Sequence, residues 1–153
     1  MCDFVSRMTI IPTGFRALPL SSAQLSLAAV LKCGQAFRWS IFPLSATGPG
    51  NVSAPEDYEY RLCLRDRLVC LRQSSDVLFY RSVFPDTVAT EVKSGSVRDE
   101  ETLSFLKDYF QLDVDLVALY ETWSKRDPVF EGLMPRFTGI RMLRQDPWEN
   151  LIS

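Results

Sequence analysis

No histidine occurs among the 153 residues, which removes the commonest general base and the commonest metal ligand. Cysteine is sparse: Cys2, Cys33, Cys63 and Cys70. None forms a Cys-x-x-Cys pair, so the spacing offers no zinc site, and reduced thiols in an intracellular compartment are expected. Lysine is scarcer than usual, with only Lys32, Lys93, Lys107 and Lys125. There is no apolar run of spanning length and no secretory pattern. Residues 1–13 carry one Arg and one Asp, too little basic charge for a transit peptide. The formal net charge is −2, which is not the footprint of a domain that grips nucleic acid by charge alone.

What is present is enough for a core. Hydrophobic residues make up 46% and charged residues 24% of the chain, with ten Phe, five Tyr and three Trp; that composition argues against disorder. The basic residues are skewed, 13 Arg against 4 Lys. Arginine favours fixed, bidentate contacts with carboxylate or phosphate, although most of the 13 are expected on solvated surface.

The hydrophobic period divides the chain. Ser21 and Gln24 form a capping box ahead of a helical run ending at Leu31, with Gly34 as its closing glycine. Strands are expected at 36–44, 58–65, 68–73 and 77–83, four antiparallel strands in meander order, with Tyr58, Tyr60, Leu62 and Leu64 on one face. The Gly/Ser/Pro-rich run 45–55 and the polar run 85–98 read as loops. Cys63 and Cys70 could lie across a hairpin, with buried reduced thiols the simpler expectation.

Helical period follows. Residues 100–110 place Leu103, Leu106, Tyr109 and Phe110 toward a core. Asp99-Glu100-Glu101 falls in the first turn, where the helix dipole favours acids. Asp113 or Asp115 opens a second helix reaching Trp123, with Leu116, Leu119, Tyr120 and Trp123 as its inner stripe. Asp127-Pro128 starts a short third helix, and Gly139 marks a turn. Strands first and helices after give an α+β fold.

The chain closes on Asp146-Pro147-Trp148-Glu149-Asn150-Leu151-Ile152-Ser153. Asp146 as N-cap, Pro147 at the first helical position and Glu149 as capping-box partner make a strong helix start. A helix this short is marginal without packing. The expectation is therefore the front part of a longer protein.

Two segments stand out. Lys32-Cys33-Gly34-Gln35-Ala36-Phe37-Arg38-Trp39 links helix to strand, and taken alone it reads as a glycine cap before a strand whose Phe37 and Trp39 face the core. Gly139-Ile140-Arg141-Met142-Leu143-Arg144-Gln145-Asp146-Pro147 reads as a linker into a capped helix. Together with Lys107-Asp108-Tyr109-Phe110-Gln111-Leu112-Asp113-Val114-Asp115-Leu116, they resemble the N-terminal domain of the eukaryotic 8-oxoguanine DNA glycosylases, in wording closest to a fungal member. The likeness runs from about Phe15 to Ser153.

The resemblance implies a twisted antiparallel sheet flanked by helices, like half of a TATA-binding-protein saddle, followed by the first turns of an all-α helix-hairpin-helix domain. The implied divisions are a tail at 1–13, the N-terminal domain at 14–145 and the start of the helical domain at 146–153. It implies an enzyme that flips the oxidised guanine from the duplex, attacks the sugar with a lysine amine assisted by an Asp, and opens the strand by β-elimination. That lysine and Asp belong to a helix-hairpin-helix that this chain lacks, so no catalytic residue is expected here.

Gly34 matches the family glycine whose backbone carbonyl reads the lesion. Guanine presents an acceptor at N7; the 8-oxo form is protonated there and donates. Arg38 and Arg144 also match family positions. They are expected to tie strand and helix start together through carboxylate or backbone contacts, with phosphate contact as the lesser reading. Tyr109 and Phe110 are expected in the core.

The expected function is therefore the lesion-recognising N-terminal part of an 8-oxoguanine N-glycosylase/AP lyase of base-excision repair, inactive alone. The alternative is a non-catalytic interaction or DNA-binding module. The expected partner is damaged duplex DNA, with no cofactor, no metal and no membrane. The expected location is the nucleus, with the mitochondrion as a second compartment.

Overall fold

A computed structural model describes residues 11–44, 58–64, 66–85 and 95–152. The elements in chain order are β1 (Arg16–Pro19), α1 (Leu27–Val30), β2 (Trp39–Pro43), β3 (Tyr58–Cys63), β4 (Leu68–Gln73), β5 (Val77–Val83), α2 (Gly95–Tyr109), α3 (Leu116–Ser124), α4 (Pro128–Leu133) with a 3₁₀ turn (Met134–Arg136), and α5 (Pro147–Ile152). The strands form one antiparallel sheet in the order β1-β5-β4-β3-β2. Helices pack on it, and the α+β class stands.

The main core lies on one sheet face. The inward alternation of β3 buries Tyr60 and Leu62, and β4 and β5 add Val69, Leu71, Leu78 and Tyr80. Against them pack Leu27 and Val30 of α1, Leu106 and Tyr109 of α2, and Phe110 just beyond it. Burying side chains of this size stabilises by roughly 1.5–3 kcal/mol each. Trp39 seals the β2 side, and its indole N–H donates to Tyr109 Oη at 3.1 Å.

Four differences from the sequence reading have physical causes. The first structured piece is a strand rather than a helix: Arg16–Pro19 pairs with β5, Arg16 opposite Tyr80 and Pro19 opposite Val77. A four-residue edge strand ending in proline carries no strand signal of its own, and proline is tolerated only at such an edge. Helix α1 starts at Leu27, capped by Ser26, whose side chain accepts from Ala29 N–H. The chain before it is held elsewhere, with Leu20 and Ser22 N–H bonded to Asp76 and Ser75 carbonyls and Leu27 N–H taken by Gln73 Oε1. Gly34 therefore lies beyond the cap position, although its φ of 86° is left-handed.

Third, β2 begins at Trp39, so strand alternation does not govern 36–38. Ala36 and Trp39 point inward, and Phe37 is turned out, 72% exposed. Fourth, α2 begins at Gly95, which moves Asp99-Glu100-Glu101 out of the first turn. Two of the three acids make ion pairs instead, Asp99 with Arg16 and Glu101 with Arg67. Arg67 also donates to Arg98 O and Thr102 Oγ1, docking α2 on the β3–β4 turn.

Asp115 caps α3 and Asp127 caps α4, as the sequence implies. Trp123 is 43% exposed rather than core; it joins Tyr120 and Phe130 in an aromatic cluster between the two helices. Cys63 and Cys70 are both free, Cys63 exposed and Cys70 buried. Their register sets Cys63 opposite Leu68 and Cys70 opposite Arg61. The expected loop 45–55 lies outside the described residues, as does most of the expected loop 85–98.

The far sheet face carries a small second cluster, Phe15, Cys70 and Phe79. Beside it Glu59 is buried, its carboxylate held by Arg61 Nε at 2.6 Å and Arg72 Nε at 2.8 Å. Burial pushes the Glu59 carboxyl upward, but the hydrogen bonds from Arg61 and Arg72 outweigh it, and the net shift is downward. A depressed carboxylate contributes stability above its ordinary pKa and loses it as pH falls through the folded value. Glu59→Gln should destabilise by about 1–3 kcal/mol at neutral pH. Urea midpoints should show the gap to the wild type closing below the ordinary value of 4.5. A gap independent of pH would contradict the ionic account.

Candidate functional site

The loop Lys32-Cys33-Gly34-Gln35 connects α1 to β2 and lies against the segment 140–145 that leads into α5. Between them opens a cleft of about 460 Å³. Gly34 and Phe37 line one side, and Gln111, Met142, Gln145 and Asn150 contribute to the rest. Phe37 and Met142 are 72% and 73% exposed, the apolar walls of this cleft.

The polar walls are held by a dense set of hydrogen bonds. Gln35 Nε2 donates to Arg141 O at 2.9 Å, and Gln35 Oε1 accepts from Leu143 N–H at 3.0 Å. Gln111 Nε2 donates to Met142 O at 2.9 Å. Gln111 itself has φ 51°, uncommon for a residue other than glycine. Its carbonyl is fixed by Arg141 Nη1 at 2.7 Å. Arg141 is 5% exposed and also bonds Gln24 O, Gln24 Oε1 and Val114 O. Burial pulls the Arg141 pKa below its ordinary value, with Asp115 opposing the shift. Gln24 completes the circuit, donating to Asp115 Oδ1 and accepting from Leu116 N–H.

The sequence reading named Gly34, Arg38 and Arg144. Gly34 is on the exposed cleft wall. Arg38 donates to Cys63 O at 2.9 Å, and Arg144 donates to Asp108 Oδ1 at 2.5 Å. The fold brings these two arginines to one small pocket of about 90 Å³ with Phe105 and Asp146. Arg144 lines the larger cleft as well. Asp146 caps α5 as expected, accepting from Trp148 N–H at 2.9 Å. Trp148 and Leu151 on that helix are 68% and 72% exposed.

The sequence assigns Gln35, Gln111 and Arg141 no role of their own, and it assigns Gln24 the wrong one: its side chain serves Asp115, Leu116 N–H and Arg141, not a capping box with Ser21. Their partners lie up to 117 residues away. The available signal was the presence of Gln35, Gln111 and Arg141 inside the three motifs already singled out.

Chemically, the cleft offers an exposed glycine peptide, an aromatic face and amide groups. Lys32, Lys107 and Lys125 do not line it. Among the described residues no group of His, Cys, Asp and Glu could hold a metal ion, and no helix is long and apolar enough to cross a membrane. The glycine peptide, aromatic face and amides can hold a planar, hydrogen-bonding ligand.

A family model described as 8-oxoguanine DNA glycosylase, N-terminal domain, matches residues 17–151. The chain is 32% identical to the N-glycosylase/DNA lyase of Saccharomyces cerevisiae, the match covering 91% of this chain and 33% of that protein. It is 30% identical to N-glycosylase/DNA lyase OGG1 of Arabidopsis thaliana, covering 89% and 31%. The chain thus spans about a third of the length of these curated relatives. Among solved structures, MBOgg1 in complex with low affinity DNA ligand shares the fold, with TM-score 0.58, 24% identity, and coverage of 91% of this chain and 38% of that one.

Proposed function

The chain belongs to the 8-oxoguanine DNA glycosylase N-terminal domain family, and on that premise we propose that it recognises the damaged base for an 8-oxoguanine N-glycosylase/AP lyase of base-excision repair. Its partner is damaged duplex DNA. Its place is the nucleus, with the mitochondrion as a second compartment. The division at 14–145, with a helical domain starting at 146, belongs to the same reading.

The observation that carries this reading is Gly34, exposed on the wall of a cleft, in a left-handed conformation that only glycine adopts without strain. A peptide carbonyl there rewards the N7–H of the oxidised base and repels the N7 lone pair of guanine. Such a contact separates the two bases by about 1–3 kcal/mol. Phe37 supplies a face on which a base can stack. Among the described lysines, Lys32, Lys107 and Lys125 do not line the cleft, and on this reading the nucleophile lies outside this chain.

Two measurements test it. In a single-turnover assay on a duplex with 8-oxoguanine opposite cytosine, the 153-residue chain should release no base and leave no borohydride-trapped adduct. In competition binding, it should prefer an 8-oxoguanine bulge over a guanine bulge by about tenfold; a bulged base is used because its unstacking cost is already met. A trapped adduct would put the nucleophile on one of these lysines, and equal binding of the two bulges would remove the recognition role.

A further inference from the structure

Gly34 stands in open space, since a Cβ built on it would meet no atom within 4 Å. No neighbour packs on the Cβ side of residue 34, so the residues that flank it are where the chain can hold its peptide in place. Gln35 is the adjoining anchor. Its side-chain amide is bound at both ends to one stretch of backbone, Nε2 to Arg141 O at 2.9 Å and Oε1 to Leu143 N–H at 3.0 Å. This two-point pairing imitates a β-bridge and admits a single register. On the other side, Cys33 Sγ donates to Val30 O at 3.1 Å and accepts from Gln35 Nε2 at 3.3 Å.

The surface to which Gln35 is anchored is itself immobilised. Arg141 is locked by four hydrogen bonds through its buried guanidinium. Met142 O is held by Gln111, and Arg144 N–H by Tyr109 O at 2.8 Å. The loop 32–35 is thus referenced to α2 and α3 through one glutamine.

We propose that Gln35 is a positioning residue for base discrimination: it sets the direction of the Gly34 peptide by clamping the loop to the 141–143 backbone. The proposal rests on the reading of Gly34 given under Proposed function. It adds that selectivity depends on a side chain that need not touch the base. Recognition geometry loosened by about 1 Å loses most of its selectivity.

The test is competition binding of the full chain to 8-oxoguanine and guanine bulges, with Gln35→Ala, Gln35→Glu and Tyr120→Phe. Tyr120 Oη donates to Phe137 O and Ile140 O, so its loss loosens the same region away from the cleft. Gln35→Ala should cut the preference about fivefold or more toward unity, with affinity for the guanine bulge held within about twofold. Gln35→Glu keeps an acceptor for Leu143 N–H but turns a carboxylate oxygen toward Arg141 O, where two acceptors repel, so it should lose at least as much preference as Gln35→Ala; being isosteric, it decides the question if Gln35→Ala does not fold. Tyr120→Phe should keep the wild-type preference. Unchanged preference in both Gln35 variants would overturn the proposal, as would an equal loss in Tyr120→Phe. A wild-type chain without preference defeats the reading of Gly34 itself and this proposal with it, and that result is visible before any variant is made.

Discussion

Arg141→Met is expected to cost about 3–5 kcal/mol of stability, enough to unfold a marginal domain. The guanidinium is nearly inaccessible and bonds three backbone carbonyls, Gln24 O, Gln111 O and Val114 O, together with the Gln24 side chain. Methionine fills much of the volume but supplies no donor. The carbonyls would then be left in a desolvated place, at about 1–3 kcal/mol for each one that finds no other partner. Gln111 adds a further term, because its left-handed backbone is held by the bond that disappears. Arg141→Lys should recover little, since one ammonium cannot serve the spread of acceptors that a planar fork reaches. Urea unfolding of the purified variants checks this, and a loss below about 1 kcal/mol for Arg141→Met would show that the network is incidental.

Gly139→Ala should be nearly as damaging, for a steric reason. Its φ is 73°, and an added Cβ would sit 2.2 Å from Ser22 O and 2.7 Å from Ser26 N. Both are backbone atoms, so no flexible side chain can yield. Separating them would break the 2.8 Å bond from Ser26 N–H to Gly139 O, which joins the start of α1 to this segment. A loss of about 3 kcal/mol or more is expected, a fall in Tm of several degrees for a domain of this size. Gly34→Ala is the internal comparison. Its φ is similar at 86°, but the space around it is empty, so only the left-handed conformational cost of about 1–2 kcal/mol applies. Equal melting shifts for the two alanines would show that conformation, not contact, governs both positions.

Both large effects fall on one seam, where residues 22–26 meet 139–141. This seam also positions the proposed recognition loop, because Gln35 reads its register from the backbone immediately after Arg141. On that proposal, stability and base recognition are coupled through a few backbone carbonyls, not through the hydrophobic core. Arg38 and Arg144, which the sequence marked, share the small pocket beside Asp146, and of the two Arg144 also lines the cleft. Phosphate contact by either is not needed to explain where they sit.

Local signals were legible wherever local forces decide. The alternation in 58–63 made a strand with Tyr60 and Leu62 inward. The Asp115, Asp127 and Asp146 caps formed where acidic side chains precede helical runs. The meander of β2 to β5 followed from short connections between adjacent strands. Family membership was legible for a related reason: the motifs are contiguous strings whose order survives in the chain.

The rest was decided across distance. Strand β1 exists because β5 offers a partner, and α1 begins late because Gln73 and the 75–76 turn claim the backbone before it. Phe37 faces outward because the strand starts two residues after it, although its composition suggests a core position. Glu59, an outward-facing residue by alternation, is buried by two arginines from β3 and β4. Periodicity and capping act within a few residues and can be read from them. Gln24, Gln35, Gln111 and Arg141 acquire their roles only when folding brings their hydrogen-bonding groups to partners remote in sequence; the local pattern offers Gln24 a capping role it does not take and leaves the other three like polar residues that stay in water.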